Sequence, residues 1–269
     1  MSTQPPFIPV GALAEGFAPE SNILASVSDL AGRTIQLDFG GGTLETLSFP
    51  GVERIRFGES DFSCRVTSLR SSVYFVDFIG GGDTRPSATT SLVLDMGKGL
   101  VTSVVGLLPS ESEARIDAIA RVERGLPLTS VSVRIRHGRI LTDGMHLETP
   151  LHAPTDDLIG KRVLYDYSAT ERYEHVYLNR NLYAWHCLSG VEAELADVDQ
   201  CYYIAIAEQL YLFIWCEKII PTVGIILIDF ERRKTDGKLV GYEGTDFGKL
   251  SNFPVGAHLQ VLNETRYSE

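Results

Sequence analysis

The side chains able to do chemistry are gathered in one stretch of the 269-residue chain. Eight of the eleven tyrosines lie between Tyr165 and Tyr211, together with Trp185, His175 and His186, and Trp215 and Glu217 follow directly. On an extended strand, side chains alternate between faces. Tyr165 and Tyr167 therefore share a face, with Asp166 opposite. Tyr211, Phe213, Trp215 and Glu217 share another, backed by Leu212, Ile214, Cys216 and Lys218. Phenolic hydroxyls and a carboxylate among aromatic walls describe a small-molecule pocket. A carboxylate there loses its hydration, and its pKa rises into the range useful for moving protons. Parity leaves two arrangements open. Either the Glu217 face lines a cavity, or the aromatic residues fill a core and Glu217 sits in water at a rim.

The elements that must position these residues are strands. Most of the chain alternates apolar and polar residues at period two, as in Thr34–Leu37, Val131–Ile135 and Tyr211–Lys218. Gly40-Gly41-Gly42, Asn179-Arg180-Asn181 and Asp236-Gly237 are read as the tight turns between them. One helix is expected over Glu111–Arg124, with Ser110 and Glu113 as a capping box and Gly125 as its stop, packed against or plugging a barrel. A looser stretch, His146–Asp157, contains Pro150 and Pro154 and marks a boundary near residue 150.

The two halves resemble each other. Leu30-Ala31-Gly32-Arg33 matches Leu158-Ile159-Gly160-Lys161, Leu69–Val76 matches Ile206–Phe213, and Ser91–Asp95 matches Ile225–Asp229, with Gly97-Lys98 set against Gly237-Lys238. A weak repeat of this length indicates a duplicated domain, not a solenoid. About eight strands per half suffice to close a small barrel around one ligand. The expectation is thus an all-β chain of two tandem antiparallel barrels with one short helix, residues 1–150 and 151–269.

Net charge is −11, which disfavours a polyanion such as nucleic acid, and Arg232-Arg233-Lys234 reads as a solvated hairpin tip. No apolar run is long enough for a membrane span, and Met1–Pro9 shows no secretory signal, so the expected compartment is the cytoplasm. Cys64, Cys187, Cys201 and Cys216 show no CxxC spacing and are read as reduced. His175 and His186 fall on opposite faces of neighbouring strands, so no metal site is expected.

The pattern Gly160-Lys161, Tyr165-Asp166-Tyr167, Tyr173-Glu174-His175-Val176-Tyr177, Tyr183–His186 with Ser189-Gly190, and Trp215-Cys216-Glu217 resembles the bacterial phenolic acid decarboxylases. That resemblance implies a lipocalin-like barrel without a cofactor. It implies that Tyr165 and Tyr167 hold the polar end of the substrate, that Glu217 activates the phenol or moves the proton, and that Tyr173 and Tyr183 line the cavity. The whole chain more closely resembles the MoaF-like family. The residues that carry this are Ile8–Phe17, Glu171–His175, Trp185–Gly190, Gly241-Tyr242-Glu243-Gly244 and Leu250–Pro254. This second resemblance implies tandem lipocalin-like barrels, and brings associations with molybdenum-cofactor biosynthesis and with monoamine catabolism.

One departure matters. The decarboxylases carry an arginine shortly after the Ser-Gly pair, whereas Val191–Gln200 holds no Arg or Lys but Glu192, Glu194, Asp197 and Asp199. An acidic stretch beside a pocket suits an amine, and equally describes a solvated loop. At the positions matching Tyr165, Tyr167, Trp215 and Glu217, the first half has Leu37, Phe39, Phe78 and Gly80. The first barrel is therefore expected to be structural, a lid or a dimerisation module, with a homodimer as one outcome.

These readings combine into a cofactor-free lyase for a small para-hydroxyphenyl compound, working through a quinone methide, with a β-hydroxylated phenolic monoamine as the finer suggestion. Glu217, Tyr165, Tyr167 and His186 are the expected catalytic residues. Tyr173, His175, Tyr183, Trp185, Tyr203, Tyr211 and Trp215 are expected to line the substrate site. The alternatives are a lipocalin-type binder of small aromatic molecules, a phenolic acid decarboxylase, and an accessory protein of molybdenum-cofactor assembly.

Overall fold

Gly32 and Gly160 each take a left-handed backbone, at φ +80° and +86°, just before the first long strand of a barrel. In both turns the glycine N–H reaches across to the next strand, Gly32 to Phe49 O and Gly160 to Tyr177 O. The matched sequence thus marks a matched structure. Residues 7–18, 20–81, 88–141, 148–244 and 246–266 are described, from a computed structural model; the first two residues of the expected boundary stretch, 146 and 147, lie outside them.

The first barrel runs as an antiparallel meander of eight strands: β1 (Thr34–Asp38), β2 (Leu44–Gly51), β3 (Arg54–Phe57), β4 (Ser60–Arg70), β5 (Val73–Ile79), β6 (Ala88–Asp95), β7 (Leu100–Leu107) and β8 (Ser132–Leu141). β8 returns to pair with β1 and closes it. Its interior is packed with Leu37, Leu47, Phe49, Val66, Phe78 and Leu92.

After the two-residue β9 (Ala153–Pro154), the second barrel uses β10 (Lys161–Asp166), β11 (Arg172–Tyr177), β12 (Leu182–Ser189), β13 (Ala196–Ala207), β14 (Leu210–Cys216), β15 (Thr222–Asp229), β16 (Lys234–Glu243), β17 (Asp246–Val255) and β18 (His258–Glu264). Eight of these close the ring, in the order β10, β11, β12, β13, β14, β15, β16, β18, with β17 folded back on β16. The β16–β18 seam is a single residue pair, Lys234 with His258.

The duplication extends to irregularities. Ser72 and Gln209 are left-handed at the β4–β5 and β13–β14 turns, and each turn follows a register shift, at Ser68/Arg70 and at Ala205/Ala207. Asp95 Oδ1 accepts Lys98 N–H at 2.9 Å, and Asp229 Oδ1 accepts Arg232 N–H at 2.9 Å. The turn after β15 is therefore residues 230–233, with Arg233 at φ +53°. This corrects the assignment of a turn to Asp236-Gly237. Both residues lie inside β16, where a Cβ on Gly237 would come within 2.1 Å of Ile225 O.

The single expected helix, Glu111–Arg124, is two short ones, α2 (Glu111–Ala114) and α3 (Ala118–Glu123), and a helix that was not expected, α1 (Val10–Phe17), precedes the first barrel. The capping box at Ser110 forms, and Gly125 stops α3 at φ +64°. The run breaks because Asp117 starts a new helix by accepting the Ala120 N–H. The buried Arg121 guanidinium then ties the break together through the carbonyls of Glu113, Ile116, Pro127 and Thr129. α1 has no side-chain N-cap and contains two glycines, so it lacks the usual start and stop signals.

The chain divides into two units that do not split at residue 150. One is Leu24–Leu107 with Val133–Ala153. The other joins Pro154–Glu269 to Leu108–Ser132 and to the segment ending at Ile23. Specific contacts make that second grouping: α1 packs on β16 and β17, Tyr242 Oη donates to Pro109 O at 2.7 Å, and Thr129 Oγ1 donates to Glu217 O at 2.9 Å. All four cysteines are buried and unpaired. No helix among the described residues is long and apolar enough to cross a membrane.

Candidate functional site

Strand parity and register bring the aromatic residues into the second barrel. Tyr165, Tyr173, His175, Tyr177, Tyr183 and Trp185 lie on the inner faces of β10, β11 and β12, where Tyr165 pairs with Tyr173, His175 with Trp185 and Tyr177 with Tyr183. On β14 the inner face carries Tyr211, Phe213 and Trp215, with Glu217 just beyond the strand end. The arrangement left open by the sequence is thereby decided: the Tyr/Trp/Glu face points inward. Trp215 lies across β15 at Gly224, its register partner, where a Cβ would fall 2.1 Å from the indole. Only glycine leaves room for that ring.

The deeper half of the barrel is solid. Tyr165 and Tyr177 share a buried hydroxyl–hydroxyl bond of 2.6 Å, and Tyr203 stacks on Phe213 at 12°. Tyr211 donates to Asp157 Oδ2 at 3.0 Å. Towards the opposite end the packing opens into a narrow cavity of about 30 Å³. Tyr167, Tyr173, His175, Tyr183, Trp185 and Trp215 face it, Leu13, Phe17 and Leu239 close it, and its two carboxylates are Glu217 and Glu192.

Each carboxylate has one side-chain donor. Trp215 Nε1 donates to Glu217 Oε1 at 2.9 Å, and Tyr173 Oη donates to Glu192 Oε2 at 3.1 Å. Burial raises the pKa of Glu217 well above the usual carboxylate value, and Asp199 and Glu192 raise it further, against the opposing bond from Trp215. Burial likewise pushes Glu192 up to about 7. Asp199 sits behind this pair, accepts Trp185 Nε1–H at 2.9 Å, and is itself raised by burial. His175 is held neutral by burial, its pKa pushed down to about 3. Its Nδ1 is buried and has no hydrogen-bond partner. Burial also raises the Cys187 thiol to about 11 and the Tyr167 and Tyr173 phenols above their ordinary value. No Lys or Arg is among the described residues lining the cavity. The site can therefore hold, give and take protons, and it presents aromatic faces and two carboxyl groups without a lining cation to whatever enters.

Seven of the sequence-expected residues meet at this cavity: Glu217, Tyr167, Tyr173, His175, Tyr183, Trp185 and Trp215. Tyr165, Tyr203 and Tyr211 are buried in the packed core beneath it instead. His186 is corrected outright. It is exposed on the outer face of β12, because the inward turn of Trp185 and Cys187 sends the residue between them outward. His175 and His186 therefore do not converge on a metal, and Glu174 is engaged outside the barrel by Arg162, at 2.8 Å for its second contact. Two features were missed. Glu192 was legible only as part of an acidic stretch. The α1 side chains Leu13 and Phe17 were legible only as part of a family-like segment.

Comparison with known proteins agrees with the tandem organisation. The model of the MoaF N-terminal domain matches residues 5–110, and that of the MoaF C-terminal domain matches residues 152–265. The chain is 45% identical to Protein MoaF of Klebsiella aerogenes over 269 residues, 100% of both chains. A solved structure from Burkholderia vietnamiensis, described as a candidate beta-lactamase, aligns with 41% of this chain and 100% of its own at 13% identity and a TM-score of 0.35, too distant to carry any argument.

Proposed function

The chain belongs to the MoaF family, and from the cavity of its second barrel we propose that it is a cofactor-independent lyase acting on a small para-hydroxyphenyl compound. One observation carries this reading: Glu217, a desolvated carboxylate with a fixed indole donor, faces a cavity walled by aromatic side chains. A para-hydroxyphenyl compound needs only proton transfers to react there. Glu217 takes the phenolic proton, the phenolate electrons move through the ring, and a leaving group departs from the benzylic carbon to give a quinone methide. A carboxylate of raised pKa is matched to a phenol far better than an exposed one, which is the condition for efficient general base catalysis.

The charge of the cavity selects among such compounds. A phenolic acid would find two carboxylates and no counter-charge. A cationic amine finds the opposite, because aromatic faces such as Trp185 and Tyr167 attract an ammonium group, and its charge favours ionisation of a neighbouring carboxyl. A β-hydroxylated phenolic monoamine fits both requirements. Its leaving group is water, and the enamine formed hydrolyses to an aldehyde and ammonia.

The test is mass spectrometry of the purified protein incubated with phenolic amines, β-hydroxylated phenolic amines and phenolic acids, with Glu217→Gln as control. Loss of water from the β-hydroxylated amines, absent in the variant, is the expected result. Carbon dioxide from the phenolic acids would make the protein a decarboxylase. Binding of any class without product would make it a carrier or sensor of small aromatic molecules.

A further inference from the structure

We propose that Glu192 is the second catalytic carboxylate of this cavity, delivering a proton to the departing hydroxyl while Glu217 takes the phenolic proton. The proposal rests on the lyase reading and adds the acid that the reading leaves unassigned.

Glu192 is only 8% exposed, although it lies in the connection between β12 and β13, where a charged residue has solvent within easy reach. Turning a carboxylate inward without a cation is costly, so the loop must be built to hold it. The loop shows that construction. Gly190 is left-handed at φ +128°, Glu171 accepts the Val191 N–H at 3.1 Å, and Leu195 N–H closes on Glu192 O at 2.9 Å. The groups facing Glu192 are Tyr173, which donates to it, Cys187 and Glu171. None of them is a cation that would make the carboxylate a plain ion-pair partner.

An independent observation points to a ligand at the same place. His175 lines the cavity at 3% exposure with an unpartnered Nδ1, a nitrogen free to bond a ligand hydroxyl. Two carboxylates in one low-dielectric cavity favour a state with one proton between them, giving one acid and one base. The donors hold the two carboxylates at different places in the cavity. Trp215, donor to Glu217, is stacked on Phe213 at 5.2 Å and 22°, in the aromatic wall of the cavity. Tyr173, donor to Glu192, contacts Phe17 of α1 at 5.6 Å, on the side that α1 covers.

The proton balance closes on these two groups. Glu217 accepts the phenolic proton, and the Cβ–O bond breaks with its electron pair on oxygen. That oxygen takes the proton of Glu192 and departs as water. Glu192, now a carboxylate, removes a proton from Cα. The C–H pair becomes the Cα–Cβ double bond, the ring regains aromaticity, and Glu217 returns its proton to the phenolate oxygen. Both carboxylates end as they began, and the net change is loss of one water.

The test compares a β-hydroxylated phenolic amine with its β-O-acetyl ester, whose acetate departs without a proton. Glu192→Gln keeps an acceptor for Tyr173. It is expected to lose about 10²–10⁴-fold in kcat on the alcohol, while first-turnover acetate release from the ester, which precedes removal of the Cα proton, falls less than about tenfold; Glu217→Gln loses both. Glu192→Asp, folding as wild type, recovers part of the activity on the alcohol. Equal losses on alcohol and ester, or an unchanged rate on the alcohol, would overturn the assignment. Turnover of neither compound by the wild type would remove the lyase reading itself, and this inference with it.

Discussion

Trp215 Nε1 donates to Glu217 Oε1 at 2.9 Å, so the residue that stacks in the aromatic wall also fixes the carboxylate two positions beyond it. This bond lowers the pKa of Glu217 against the raising effect of burial. Trp215→Phe keeps an aromatic ring over Gly224 and removes the donor. The pKa of Glu217 then rises further, and activity that needs its ionised form begins at higher pH. The acid limb of kcat/KM is expected to move up by about one pH unit, as befits a hydrogen bond to a charged group worth about 1.5–3 kcal/mol less the solvent that replaces it. Superimposable profiles for wild type and variant would show that the bond does not tune catalysis.

The cavity carboxylates should cost stability. Glu192 is raised from 4.5 to about 7, so the folded state binds its proton more readily than the unfolded chain does. Wild-type stability from this group is therefore fully present at low pH and declines as pH rises from about 4.5 to about 7, then stays level. Glu192→Gln does not titrate. It is expected to match the wild type near pH 4.5 and to exceed it near neutrality and above by at most about 3 kcal/mol. Urea melts at the two ends of that range decide it, and a variant less stable than wild type at the upper end would show that Glu192 is held by attraction that the structure does not display.

The legibility of this molecule in its sequence follows physical lines. Period-two alternation and the Leu-x-Gly-Lys/Arg turns disclosed both barrels, because a half-buried strand and a left-handed glycine are local requirements. The same parity places Trp185 inward and His186 outward. The fate of Tyr165, Tyr203 and Tyr211 was not legible, because parity distinguishes inside from outside but not the packed floor of a barrel from its open end. Glu192 was hidden for a different reason. Its inward turn depends on Gly190 and on Glu171, a residue 21 positions upstream, through a bond of 3.1 Å to Val191 N–H. The grouping of α1 with the second barrel is likewise a tertiary choice, made where Gly241 lets Val10 approach β16, and no local signal encodes it.

The two histidines of the motif separate cleanly by mutation. His186→Ala should leave both folding and turnover unchanged within about twofold, since exposed surface substitutions seldom exceed about 0.5 kcal/mol. His175→Phe keeps the ring contacts with Tyr165, at 4.7 Å, and Tyr183, at 5.1 Å, and deletes the orphan Nδ1. It should preserve or slightly raise thermal stability, because an unsatisfied buried nitrogen is removed, while KM rises about tenfold if that nitrogen binds the ligand. A KM unchanged in His175→Phe would leave the Nδ1 without a ligand role.

The last expectation concerns α1, which covers the cavity with Leu13 and Phe17. It is an eight-residue helix with no side-chain N-cap and no charged residue placed to favour its ends. A helix this short does not persist alone in water, so its docking contacts hold it in place. Phe17 supplies the most specific of these, meeting Tyr167, Tyr173 and Phe253 at 5.0, 5.6 and 6.0 Å. In a continuous core, Phe→Ala costs about 3–5 kcal/mol of global stability. Here the helix can detach while both barrels stay closed, so the loss should appear locally instead. Phe17→Ala is expected to leave the main unfolding transition in place and to speed amide exchange across residues 10–17. The two tryptophans of the chain, Trp185 and Trp215, both line the cavity beneath this helix, so intrinsic fluorescence reports on it alone. Acrylamide should quench that fluorescence more strongly in the variant than in the wild type, and KM should rise more than kcat falls. Unchanged quenching together with a lower global melting temperature would instead make α1 an integral part of the barrel core, and the cavity would need another way in.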